Sequence, residues 1–242
     1  MRLLLPLLCF GACAQAGKAE IGGHTDAGSI STHDSSTQPL PDAFVNPIDA
    51  PPGVMTKTLD ENTSDTVVNG NTQGCSTSNG FTAATQYWRV YNPANFQITT
   101  DFHITQVGFT VEDAETIAGN GQQVTVKVGI YDAPVPTTTF DTSKLMGLAQ
   151  DANVQVAEGF ETPQPINVPL SATIPAGKNL FIEIDSLDGI NNELAFWMGS
   201  SNQTDSSPSW MKVSCINGGA PITTTAAHGS QSALVMTVTG QY

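Results

Sequence analysis

An all-β fold is what the sequence predicts: a two-layer antiparallel β-sandwich, jelly-roll or immunoglobulin-like, of about nine strands behind an N-terminal stalk. Three observations predict it. Apolar and polar residues alternate with period two in one segment after another, most clearly Val124, Val126, Val128 and Ile130 against Gln123, Thr125, Lys127 and Gly129. Turn signals punctuate those segments at Asn69-Gly70, Asn79-Gly80, Asn120-Gly121, Asp188-Gly189 and Asn217-Gly218, because Asn, Asp and Gly tolerate positive φ. No window of a dozen residues shows a convincing helical stripe, so the crossover helices that a parallel sheet requires are not in the pattern.

In chain order, the opening residues Met1 to Cys13 combine one positive charge, Arg2, with a short apolar run and small residues before a cysteine, which reads as an export signal. The run is too short to span a bilayer. Phe10-Gly11-Ala12-Cys13 resembles a bacterial lipobox, although lipoboxes favour Leu where Phe10 stands. That resemblance implies cleavage before Cys13, a diacylglycerol on its sulfur, an acylated N-terminus and hence a stable membrane anchor. Ordinary cleavage after Ala14 or Ala16 is the alternative, since both fit the A-x-A rule. Residues 14–64 are rich in Pro, Gly and Ser and poor in large apolar side chains, and they show neither period. They cannot bury enough surface to offset their ordering entropy and read as a flexible stalk, with a coil-like reach of about 40 Å. His24 and His33 in this stretch read as solvated side chains, since no cysteine or third histidine joins them.

The sandwich is expected over 65–242, with strands near 86–91, 102–111, 122–131, 152–157, 165–174, 179–185, 193–199, 209–215 and 233–240. A parity shift between Phe102-Ile104 and Val107-Phe109-Val111 predicts a bulge. Cys9 leaves with the signal and Cys13 is the lipid site, so Cys75 and Cys215 remain, and two cysteines in an exported domain usually pair. The long loop they close gives somewhat more than roughly 4.7 kcal/mol in the chain-entropy model, less any strain. Two buried free thiols are the alternative.

Gln86 to Pro93 and Phe102 to Phe109 look like the opening strands of a sandwich module found in secreted bacterial proteins, and Ile174 to Ile184 and Pro208 to Cys215 look like its later hairpins. The resemblance spans roughly 75 to 240. It implies a module appended to extracellular hydrolases or displayed on lipoproteins, and it carries over no catalytic residue.

Charge and motif content narrow the function. Charged residues make up 12% of the chain and acids outnumber bases 22 to 8, a net charge of −14. Nucleic acid, which needs a basic surface, is excluded as a partner, and electrostatic docking on anionic lipid is disfavoured. No G-x-S-x-G elbow, H-E-x-x-H, P-loop or post-strand G-x-G-x-x-G occurs. His103 falls on the polar side of its strand and reads as a surface histidine, and nothing in its spacing recommends His228 as a base. Glu112, Asp113, Glu115, Glu183 and Asp185 offer carboxylate pairs, which so acidic a domain makes inevitable. Glu112, Asp113 and Glu115 form the densest acidic cluster; placed in a loop, they would be candidates for a structural calcium, but their spacing matches no EF-hand and solvated acids are the simpler reading. No other cofactor is implied.

Alternation in 193–199 and 209–215 leaves Trp197 and Trp210 opposite the apolar faces of their strands. If 200–209 is a hairpin loop, both indoles share one outward face, which Tyr87 and Tyr91 extend. Exposed aromatic rings rimmed by polar groups stack on sugars or anchor a protein partner; a covering loop is the alternative. The sequence therefore points first to a non-catalytic binding or adhesion module displayed on the cell envelope, as an outer-membrane or surface lipoprotein, with a glycan or an envelope protein as partner. A structural or assembly subunit of an envelope complex comes second and a carbohydrate-active hydrolase third.

Overall fold

The structure, a computed structural model, describes residues 53–71, 73–116, 119, 121–159, 162–213, 219–228 and 231–242. Cys13, His24 and His33 lie outside these residues, as does Cys215. The strands are β1 (Thr56–Asp60), β2 (Thr85–Tyr91), β3 (Phe102–Thr116), β4 (Gln122–Tyr131), β5 (Leu145–Val156), β6 (Gln164–Ile174), β7 (Asn179–Ser186), β8 (Leu194–Met198), β9 (Ser200–Ser201), β10 (Ser209–Val213), β11 (Ile222–Thr223), β12 (Ala233–Leu234) and β13 (Met236–Gln241). A five-residue helix, α1 (Thr224–His228), follows β11.

Among the described residues every strand pairing is antiparallel. One sheet is five-stranded, in the order β1-β13-β3-β6 with β8 also on β3; a second is six-stranded, in the order β11-β10-β2-β7-β4-β5; and β9 and β12 pair as a small two-stranded sheet. Within this order the pairings nest: β4 lies on β5, β3 on β6, β2 on β7 and β1 on β13. That is one long antiparallel ribbon rolled into two layers, the jelly-roll alternative of the two the sequence left open. Strands β8 to β12 are a decoration inserted between β7 and β13.

Alternation explains the core. Val124, Val126 and Val128 of β4, Leu180, Ile182 and Ile184 of β7 and Val107, Phe109 and Val111 of β3 all point between the layers. The bulge expected in the third strand falls at Thr105, where the registers of β3 with both β6 and β13 slip. A second slip at Glu112 lets β3 run past its expected end and receive β8.

Two expectations change. β1 lies inside the stretch read as stalk, so the sandwich extends back at least to Thr56. Its TKTLD sequence buries one large apolar side chain, Leu59, too little periodic signal to notice. Strand β2 is covered on both faces, a case that period-two reasoning cannot resolve. Tyr87 and Tyr91 point into the main core, while Trp88 and Val90 face a satellite cluster on the outside of the six-stranded sheet.

Candidate functional site

The aromatic strip does not exist as an exposed surface. Tyr87 and Tyr91 are fully buried, and their hydroxyls donate to the carbonyls of Gln73 and Met236 at 2.8 and 2.6 Å. Burial pushes both phenols well above their ordinary range. Trp210 does sit on the outer side of its strand, in register with Trp88. However, Phe140 of the β4–β5 loop covers both, at ring separations of 5.2 Å from Trp88 and 5.6 Å from Trp210. Trp197 belongs to β8 in the other sheet, partly buried beside Gly74, so the two indoles share no face.

The acidic triplet is corrected as well. Glu112, Asp113 and Glu115 lie within β3 rather than in a loop. Glu112 is buried and accepts the Gly70 amide at 2.7 Å. Alternation beyond the bulge places Asp113 and Glu115 on the opposite face from Ala114, and no group of three possible metal ligands occurs among the described residues. Glu183 and Asp185 are held by Lys127 at 2.8 and 3.2 Å, and Glu183 also accepts Trp88 Nε1 at 2.9 Å. Burial pulls the Lys127 ammonium down, but these two carboxylates outweigh it and hold the group above its ordinary range. His103 is exposed, with Nδ1 3.0 Å from Thr173 Oγ1. Cys75, half-buried against the core, is disulfide-bonded.

The feature that does look built to receive something is a groove of about 360 Å³ on the outer face of the five-stranded sheet. Its floor is Gly108 of β3, paired with Thr237 of β13 on one side and Asn167 of β6 on the other. A Cβ at 108 would lie 2.5 Å from Thr237 Oγ1 and 3.3 Å from Asn167 Oδ1, so two side-chain oxygens close in over the glycine and take the space a side chain would need. Asn167 Oδ1 is held by Gln106 Nε2 at 2.9 Å. Asp65 and Val67 contribute to one part of the lining, and Pro163, Pro165 and Ile166 to another. The groove thus joins apolar patches to oxygen acceptors, and its lining includes no histidine, cysteine or lysine.

Asp65, itself exposed, touches the rim of a buried polar network that the sequence reading missed. Arg89 points inward from β2 and is fully buried. It donates from Nη1 to Asn62 Oδ1 at 2.7 Å and from Nη2 to Asp205 Oδ2 at 3.2 Å. Asn62 Nδ2 donates to Asp65 Oδ1 at 3.4 Å and to the Leu234 carbonyl at 3.0 Å, and the Asn62 amide donates to Asp60 Oδ1 at 2.8 Å. Alongside, Ser206 donates its hydroxyl to Glu61 Oε2 and its amide to the Glu61 carbonyl. Burial, and then the neighbouring Asp65 charge, push Asp60 up to about 6, while burial also raises Glu61 and Asp205. An arginine inside Tyr-Trp-Arg-Val-Tyr was the available signal, since a charge in a strand this apolar needs buried partners. Nothing in the spacing announces Gly108.

No protein-family model and no curated protein sequence matches this chain. Among solved structures it is similar to the cysteine protease and lectin-like domains of a surface-layer-associated protein of Clostridium difficile. The identity is 14% and the TM-score 0.46, over 77% of this chain and 36% of that one. The chain thus spans a little over a third of that protein's chain.

Proposed function

We propose that the protein is a non-catalytic binding module, exported and displayed on the cell envelope through a lipid on Cys13, whose groove over Gly108 takes a neutral, hydroxyl-rich ligand of the glycan class. One observation carries the reading: Thr237 Oγ1 and Asn167 Oδ1 converge over a glycine floor beside proline and aliphatic walls. Sugar hydroxyls donate to such oxygens while ring C–H faces rest on the apolar patches, the usual division of labour in a small-ligand site. The carboxylates nearest the groove do not suit glycoside hydrolysis. The groove's lining holds one carboxylate, Asp65, where either glycosidase geometry needs two.

Assembly by strand addition is the second reading, and the sheet edges speak against it. β1 is short and carries Lys57, β6 carries Pro165 and Pro169, β11 has two residues, and β5 is interrupted by a register slip opposite Lys127 and Gly129. A glycan array probed with the full chain and with Gly108→Val tests the groove. Binding by the parent that the variant loses while still folded is the expected result; equal binding by both, or no binding by the parent, ends the proposal. Mass spectrometry of the envelope-bound protein tests the anchor, which fails if the mature N-terminus is an unmodified residue after Ala14 or Ala16. We also propose Cys215 as the partner of Cys75. Cys75→Ser and Cys215→Ser should each cost about 2–5 kcal/mol, with the double variant no worse than either; additive costs would mean separate roles.

A further inference from the structure

Three rows of side chains cross the outer face of the five-stranded sheet, and the groove occupies only the first. Residues paired in register share a face, so the ladders fix the members of each row. The first row is Asp60, Thr237, Gly108 and Asn167. The second is Thr58, Thr239, Gln106 and Pro169, and the third is Thr56, Gln241, His103 and Thr173. From Thr237 to Gln241 on β13 the rows span about 13 Å, a length that about three sugar rings cover end to end. Cross-strand bonds tie them into one surface. Thr58 Oγ1 meets Thr239 Oγ1 at 2.8 Å, Gln106 Nε2 donates to Asn167 Oδ1 at 2.9 Å, and His103 Nδ1 lies 3.0 Å from Thr173 Oγ1. Each bond uses one polar atom and spares its sibling: His103 Nε2, Gln106 Oε1 and Asn167 Nδ2 have no partner among the described residues. Charge is nearly absent, although acids outnumber bases 22 to 8 in the chain. The three rows hold no lysine or arginine and one carboxylate, Asp60, which accepts the Asn62 amide of its own segment at 2.8 Å.

We propose that the three rows form one binding track, and that its ligand is a linear, uncharged oligosaccharide of about three or more units lying along β3 with one end in the groove. The proposal rests on the groove reading above and extends it from a single ring to a chain. A sugar hydroxyl donates and accepts at once, so a chain can satisfy the Gln106 carbonyl oxygen, the Asn167 amide nitrogen and His103 Nε2 in either tautomer. Pro169, exposed in the middle row, gives ring C–H groups an apolar face between the groove and the third row. A carboxylated chain would meet no cation along the track, and an amine would meet only Asp60 and Asp65 at the groove end. Because the cross-strand bonds already hold these side chains in place, binding orders little that was free.

Calorimetric titration of the full chain with cello-, malto- and N-acetylchito-oligosaccharides of one to six units, and with oligogalacturonates of the same lengths, tests the track. Affinity for a neutral series should rise about tenfold between two units and four and then level off, the worth of one or two net hydrogen bonds. His103→Ala and Thr173→Ala change exposed side chains of the third row, so both variants should fold. Each should remove most of that rise and leave the affinity for the disaccharide unchanged, which a merely structural role would not do. Gly108→Val should abolish binding at every length. Affinity that does not grow with length, equal losses for short and long chains in the third-row variants, or tighter binding of the oligogalacturonates overturns the track. A parent that binds none of the neutral series overturns it too. The glycan array decides the groove separately, so the track can fail while the groove stands.

Discussion

The two outer faces of this sandwich treat the same problem in opposite ways. On the six-stranded sheet, large rings face outward and are then covered. Trp88 and Trp210 lie side by side, Phe181 and Tyr131 flank them, and Phe140 folds over from the β4–β5 loop to complete a satellite core. On the five-stranded sheet, the outward positions around Gly108 are small and polar, Thr237, Thr239, Asn167 and Gln106 among them, with pairs such as Thr58 and Thr239 meeting hydroxyl to hydroxyl at 2.8 Å. That face needs no cover because it buries nothing costly, and a groove survives on it. Rings on the outside of a sheet therefore marked stability in this molecule, and the absence of a side chain marked the candidate site.

Substitutions can break or sharpen this contrast. The largest effect should come from Trp88→Ala, which opens the satellite core and strips Glu183 of an indole donor. About 3–5 kcal/mol should be lost in urea unfolding, and a loss under about 1 kcal/mol would mean that the covered face is not a core at all. Next is Trp88→Phe against Trp210→Phe. Trp88 Nε1 donates to Glu183, whereas Trp210 Nε1 has no partner among the described residues. The first change should therefore cost about 1–3 kcal/mol more than the second; equal costs would show that the Glu183 bond contributes nothing. Gly108→Val on the open face should cost about 1–3 kcal/mol as Thr237 and Asn167 are pushed aside, with most of its consequence in binding. Smallest is Thr58→Ala, expected within about 0.5 kcal/mol by thermal unfolding. A larger loss there would mean that the open face is held by its hydroxyl ladder after all.

Much of the architecture was legible because most strands are half-buried, the case in which alternation is informative. β4, β6 and β7 fall where expected, and the parity slip near Thr105 was visible as a change of phase in the apolar residues. Legibility ended where a strand has two covered faces or scarcely any apolar face. In β2 every residue but one is buried, so Tyr87 and Tyr91 were assigned to the wrong side. The outward setting of Trp210 was read correctly and a covering loop was named as the alternative to exposure, but that Phe140 supplies the cover was not legible, because no periodicity encodes the path of its loop. The site was less legible still. Gly108 is one glycine among many, and it acquires meaning only from Thr237 and Asn167, which lie beside it through pairings with distant strands.

The nesting of the ladders also fixes an order of assembly. Thr125 and Asn153, which bond across β4 and β5, are 28 positions apart, whereas Thr58 and Thr239 across β1 and β13 are 181 apart. Closing a longer loop costs more entropy, so the middle of the ribbon can zip early and the outermost rung comes last. A polypeptide emerging head first from a narrow channel would have to keep β1 waiting, unmatched, until β13 came through.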